Sequence, residues 1–283
     1  MDSDGYRNLT GRGDGSEWGM ARDGSLPWSW APVGAALLLL VGTTWLFLKL
    51  RKEPVLPKPP APSRVDDREE VIGMSVEDRP LTCYWFGTAG PLWFIKASIH
   101  GTEGEGTPLT HRLIDWLEAH PEAWQDRRVV LMPVANPDGL AAGTRFNARG
   151  VDLNRNFPAG NREDKARFGH EALSEPESRA LHDFIPRAQP AVIVAIHQPL
   201  DCVDYDGPEL ARTLAERLSR TTGLRLEKLG ARPGSLGAWF GETLGRPILT
   251  LELPRAAVPD PDKVWRDYGP GLVDLVTAKE SGL

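Results

Sequence analysis

Apolar residues follow several distinct patterns along the chain. The first is one long unbroken run. No charged residue occurs from Gly24 to Leu48, and Ala31–Leu48 is strongly apolar. That length suits a membrane-spanning helix. Trp28, Trp30 and Trp45 fall near its two ends, where aromatic belts form at the interfaces. A cleaved signal peptide and a buried core helix are the alternatives. The run starts late and lacks a small-x-small cleavage site before Lys49-Leu-Arg-Lys52, and a proline tract follows it; both features argue for an anchor.

The remaining patterns are shorter and alternate. Pro80–Gly87, Trp93–Ile99, Val129–Val134, Ala191–Ile196 and Pro247–Glu252 are compact apolar runs that predict strands. Between them lie amphipathic stretches. Thr107-Pro108 supplies an N-cap and a proline at the first helical position, predicting a helix to about His120. Ser174-Glu-Pro-Glu177 has the form of a capping box for a helix to about Ile185. Pro208–Arg220 and Asp262–Lys279 predict two further helices, and Asn136-Pro-Asp-Gly139 is turn chemistry. Strands interleaved with helices predict an α/β sandwich.

These patterns divide the chain. Residues 1–24, rich in Gly, Asp, Ser and Arg, read as disordered. Residues 25–50 form the expected transmembrane helix. Residues 51–67, with Pro54, Pro57, Pro59, Pro60 and Pro62, read as a semi-extended linker. Residues 68–283 hold the α/β domain. Lys49, Arg51, Lys52, Lys58 and Arg64 follow the apolar run, whereas only Arg22 and the more distant Arg12 precede it. Positive flanks stay inside, so the domain is expected on the cytoplasmic side. A net charge of −6 argues against nucleic acid as a partner. Cys83 and Cys202 make no disulfide framework, which fits a reducing compartment.

Candidate chemistry concentrates at strand ends. His100 and Glu103 follow the Trp93–Ile99 run at a spacing that lets an imidazole and a carboxylate reach one divalent metal. A zinc site of this kind needs a third protein ligand and an open position for water. Of the six histidines, His111, His120 and His182 fall on amphipathic helices and His170 in a charged loop. His197 ends the buried run Ala191-Val-Ile-Val-Ala-Ile-His, where α/β sheets place their sites. It reads as a ligand or as a satisfied core histidine. Glu252 ends another apolar run, where a carboxylate is costly unless paired or used. It reads as a general base beside the metal or as a buried partner of Arg255. Asn154 and Arg155, in Arg149-Gly-Val-Asp-Leu-Asn-Arg-Asn-Phe-Pro158, offer a neutral donor and a fixed cation for an anion.

Taken in order, His-x-x-Glu, Asn-Pro-Asp-Gly, Arg-Gly-Val-Asp-Leu-Asn-Arg-Asn-Phe, strand-His and strand-Glu resemble the zinc metallocarboxypeptidase family over roughly Val71 to Asp274. The likeness is greatest to the short bacterial murein-peptide amidases, which cut the γ-D-glutamyl–diaminopimelate bond. It is carried by His197-Gln-Pro-Leu-Asp-Cys202, Pro233-Gly-Ser-Leu-Gly237 and Thr250-Leu-Glu-Leu-Pro254. The resemblance implies a three-layer α/β sandwich with a mixed, largely parallel central sheet. It implies Zn2+ held by His100, Glu103 and His197, Glu252 as general base and acid, and Asn154 with Arg155 gripping a substrate carboxylate. It implies Arg145, with Arg149 as the runner-up, as the oxyanion partner. Digestive members carry a mobile tyrosine where Lys228–Gly234 has none, and Arg232 is the candidate to cover the substrate there. The implied substrate is a small peptide with a free carboxylate, such as a cell-wall peptide. The implied setting is the bacterial inner membrane, with the lipid bilayer met through the N-terminal helix. A zinc-dependent deacylase of N-acyl amino acids and an inactive, membrane-tethered peptide-binding protein are the competing readings.

Overall fold

The computed structural model describes residues 68–255 and 259–278. The expected disordered segment, membrane span and linker lie outside them. Among the described residues, no helix is long and apolar enough to cross a membrane.

The described residues form one mixed eight-stranded sheet in the order β1-β2-β4-β3-β5-β8-β6-β7. The strands are β1 (Glu69–Met74), β2 (Pro80–Phe86), β3 (Leu92–Lys96), β4 (Arg128–Met132), β5 (Val192–His197), β6 (Cys202–Asp206), β7 (Arg225–Leu226) and β8 (Ile248–Glu252). The centre, β4-β3-β5-β8, is parallel; β1, β2 and β6 join antiparallel. Every residue of β3 and β5 is buried, which explains their near-continuous apolar runs: a parallel strand covered on both faces has no polar side to show.

Helices cover both faces. Core residues of α1 (Gly106–Ala119), α4 (Glu209–Thr222) and α5 (Pro261–Thr277) pack on one face. On the other, Leu181, Phe184 and Ile185 of α3 (Pro176–Ala188) pack with Leu153, Phe157 and Trp239. The short α2 (Pro137–Ala142) completes the set. The three-layer expectation therefore holds around a mixed sheet.

Several local expectations are corrected. Helix α1 starts at Gly106 with Glu105 at its N-cap and no side-chain cap. The Thr107 hydroxyl donates instead to Pro133 O at 3.1 Å. The capping box at Ser174–Glu177 does not form. Glu177 is buried and accepts from Val76 N and Asn147 Nδ2, while the Ser174 hydroxyl donates to Glu175. Strands β1, β6 and β7 and a π-helical turn at Gly237–Thr243 were not predicted. The Asn-Pro-Asp-Gly turn opens α2, with Asn136 Oδ1 accepting from Gly139 N at 2.9 Å.

That turn clamps the loop after β3. Asn136 donates through its backbone N to Ser98 O at 3.0 Å and through Nδ2 to Ile99 O at 3.2 Å. The two segments touch backbone to backbone: a Cβ on Gly101 would lie 1.9 Å from the Gly139 carbonyl carbon. Gly101→Ala is therefore expected to cost about 1–3 kcal/mol or more, read from the denaturation midpoint. Gly160→Ala, whose Cβ would meet nothing within 4 Å, is expected to stay within about 0.5 kcal/mol. Equal midpoints for the two variants would show that the loop yields without strain.

Candidate functional site

The strand ends bring the candidate residues together. His197 and Glu252 are register partners on β5 and β8, and Cys202 of β6 is the partner of Glu252 on its other side. The loop after β3 delivers His100 and Glu103. His100 Nδ1 lies 2.8 Å from Glu103 Oε1, and His197 Nδ1 lies 2.8 Å from Glu103 Oε2. One donor atom from each of the three falls within 4.8 Å of the others, and all three residues are buried. Two imidazoles and a carboxylate converging this way match a zinc donor set. No other such group occurs among the described residues.

The outer partners fix the rings. His100 Nε2 faces Asp152 Oδ1 at 3.1 Å, and His197 Nε2 faces Lys96 Nζ at 3.3 Å. A carboxylate behind a ligating imidazole sets its tautomer and orientation. Burial works against charge on Glu103, but the two imidazoles facing it outweigh that and hold its carboxyl below the usual range. Burial, with Lys96 nearby, lowers His197 to about 4, which keeps the imidazole neutral, as a ligand requires. Burial also lowers Lys96 to about 7.

Glu252 stands apart from these contacts. It accepts one backbone bond, from Leu200 N at 3.3 Å. Among the described residues it forms no ion pair, and Arg255 is exposed; the expected alternative of a Glu252–Arg255 pair is not formed. Burial, then the charge of Glu103, pushes Glu252 up to about 7. A carboxyl poised there can both accept and return a proton near neutral pH.

These groups line a cleft of ≈ 820 Å³, its open mouth included, together with Arg145, Asn154, Arg155 and Arg232. Asp152 caps the single turn Leu153–Arg155 by accepting from Asn154 N, and its other oxygen accepts from Arg145 Nε at 3.0 Å. Asn154 Oδ1 accepts from Leu236 N at 3.0 Å. Arg155 NH1 donates to Asn154 O at 2.6 Å. Burial lowers the Arg155 pKa, but a guanidinium stays charged. Arg232 is exposed at the rim, on a loop held by Phe157 N donating to Gly234 O at 3.0 Å. Arg149, the runner-up for the oxyanion, lines no part of the cleft and sits 3.6 Å from Glu175. His111, His120, His170 and His182 are likewise absent from it.

The sequence reading missed two supports, Asp152 and Lys96. Asp152 lies inside the quoted Asp-Leu-Asn-Arg run. Lys96 was visible as a lone charge within an otherwise apolar strand.

Comparison with known proteins agrees with this geometry. Residues 64–205 match the family described as zinc carboxypeptidase, peptidase M14. Murein peptide amidase A of Escherichia coli (strain K12) is 34% identical over 204 residues, which cover 65% of this chain and 81% of that relative. The gamma-D-glutamyl-L-diamino acid endopeptidase 1 of Lysinibacillus sphaericus is 26% identical over 243 residues, which cover 67% of this chain and 61% of that relative. The crystal structure of the murein-tripeptide amidase from Escherichia coli O157 is similar, with a TM-score of 0.61 and 28% identity; the match covers 79% of this chain and 94% of that one. The chain belongs to the zinc carboxypeptidase family and is a zinc-dependent hydrolase.

Proposed function

We propose that this protein is a membrane-anchored amidase of cell-wall peptides that cuts the bond between a γ-D-glutamyl group and a terminal diamino acid. The observation that carries the reading is one cleft holding a metal donor set, an unpaired carboxyl and three arginines. The names of the similar proteins point to the same substrate class.

His100, Glu103 and His197 would hold the zinc, which when bound supplies a Lewis acid for a carbonyl and for water. Glu252 takes the proton of the attacking water and returns it to the leaving nitrogen. Arg145, beside Glu103 and Asp152, stabilises the oxyanion that forms on the substrate. Asn154 and Arg155 position the substrate through its free carboxylate, and Arg232 covers it from the rim. A guanidinium and an amide N–H at one end of the cleft favour a substrate that ends there in a carboxylate.

Glu252→Gln tests the chemistry. The variant is expected to retain wild-type zinc content while turnover of a murein tripeptide, followed by product mass, falls by a factor of about 10²–10⁴. Near-wild-type turnover would make Glu252 a structural carboxylate.

The grip is tested by a cycle. Arg155→Ala and amidation of the substrate's free carboxylate are each expected to cost about 2–5 kcal/mol in kcat/KM. Combined, they lose much less than the sum. Fully additive losses would assign Arg155 to another task.

The anchor rests on the charge-free run Gly24–Leu48 and the basic residues that follow it, with the domain facing the cytoplasm. Carboxyl-terminal fusions test the orientation. Alkaline phosphatase, active only when exported, should be silent, and a reporter that fluoresces only when folded in the cytoplasm should be bright. The reverse pattern would put the domain on the outer face and leave the chemistry unaltered.

A further inference from the structure

Strand β2 is closed on one face and partly open on the other. Leu81, Cys83 and Trp85 are buried on the closed face. The alternate residues face α1. Phe86 is buried there against Trp124, their rings 6.0 Å apart, but Tyr84 and Thr82 are only half-buried and Pro80 is exposed. Strand β1 continues the open face, because residues directly opposite on two strands share a side: Val71 pairs with Thr82 and Met74 with Pro80. Val71 and Met74 are 55% and 43% exposed, two large apolar side chains left uncovered. Beside them, Pro80, Thr82 and Tyr84 join His111 of α1, Pro133 and Leu140 in lining a groove of ≈ 830 Å³, its open mouth included. The Tyr84 and His111 rings meet edge to face at 6.3 Å. None of these residues lines the metal cleft.

The chain arrives over this same face. Arg68, the residue before β1, lays its guanidinium over the rings of Phe86 and Trp124, at 5.0 and 5.6 Å, and meets Glu118 of α1 at 3.7 Å. Upstream stands the tract Leu56-Pro-Lys-Pro-Pro-Ala-Pro62, and five residues, Ser63-Arg-Val-Asp-Asp67, separate it from Arg68. A connection of that length can reverse a chain, and Ser and Asp suit a turn. Pro57–Pro62 in the polyproline conformation would span about 19 Å. Pro80 to Tyr84 along β2 is about 14 Å. A tract doubled back on β1 therefore matches the groove, with Pro62 toward Tyr84 and Pro57 toward Pro80. Lys58 then comes to the end of the sheet where the β1–β2 turn carries Glu77 and Asp78, both exposed.

The geometry points to an intramolecular docking site: the groove between β2 and α1 takes the chain's own proline tract, Pro57–Pro62, as an extended polyproline segment. Proline rings lie against an aromatic wall, and a segment stiffened by its own residues loses little entropy when it docks. The docked tract closes the apolar face that β1 and β2 leave open, places Lys58 beside the acidic turn, and shortens the spacer ahead of the domain by its own length. Nothing in this docking depends on the reaction proposed above.

The test uses the full chain in detergent micelles, with spin labels attached at Leu56→Cys and, on α1, at Asp115→Cys. Asp115 is exposed, whereas Cys83 and Cys202 are buried and stay unlabelled. Pulsed dipolar spectroscopy is expected to give one narrow distance distribution. Pro59→Gly combined with Pro60→Gly, which leaves the folded domain untouched, should abolish the narrow peak, and so should Tyr84→Ala. A peptide of residues 56–63 added in trans should broaden the distribution by competition, and the same peptide with its four prolines replaced by glycine should not. A broad distribution in the otherwise unaltered chain overturns the inference, and so does a narrow one that survives both the tract and the groove variants. A narrow peak that appears only between two singly labelled chains shows that the groove takes a second copy, and it too overturns intramolecular docking. Loss of the peak with the paired proline changes upholds the docking even where Tyr84→Ala fails to fold.

Discussion

Asp152 is the constraint on which the site depends. A single buried carboxylate faces His100 Nε2, accepts from Asn154 N and accepts from Arg145 Nε. Burial alone would raise its pKa, but the His100 imidazole and the guanidinium groups of Arg145 and Arg155 hold it below the usual carboxylate range. A charge kept in place by several donors resists rotation, because each rotamer change breaks more than one charge-assisted bond. The ring of one metal donor, the turn that presents Asn154 and Arg155, and the side chain of Arg145 are thus registered to one another. Catalytic geometry of this kind tolerates little displacement.

The cleft carries charge of both signs. Arg145, Arg155 and Arg232 line it together with Glu103, Glu252, Asp204 and Asp206, and Arg145 Nη1 lies 3.3 Å from Glu103 Oε1. A charged substrate entering such a cleft meets groups of the opposite sign and need not bury a bare charge. Lys96 adds a buried nitrogen behind His197, so even the floor of the donor set is polar and hydrogen-bonded, not a greasy backing.

Much of this was legible in the sequence, for reasons particular to each element. Strands β3, β5 and β8 announced themselves because strands buried on both faces leave continuous apolar runs, and their polar terminal residues stood out against that background. Strand β6, Cys-Val-Asp-Tyr-Asp, has no such signal; its acidic residues face the cleft, so burial and function cancel the hydrophobic pattern. Strand β1 opens with two glutamates and contains Gly73, and β7 has only two residues. Capping was misjudged because Thr107 and Glu177 bond to distant backbone, at Pro133 and Val76; local motifs cannot reveal a partner contributed by tertiary structure. Lys96 was overlooked because one charge in an apolar strand changes the pattern little, and Asp152 because its motif drew attention to the residues after it.

The pairing of His197 with Glu252 across β5 and β8 has a consequence for how such a site can change over time. Their separation belongs to the hydrogen-bond ladder, not to side-chain choice. A register slip of either strand by one residue would turn its member of the pair to the opposite face, so no gradual drift connects the working arrangement to a nearby one. The loops at 228–236 and 199–201 carry no such obligation. Substrate preference can therefore be rewritten by point changes at the rim, while the position of the reacting groups is inherited whole with the sheet.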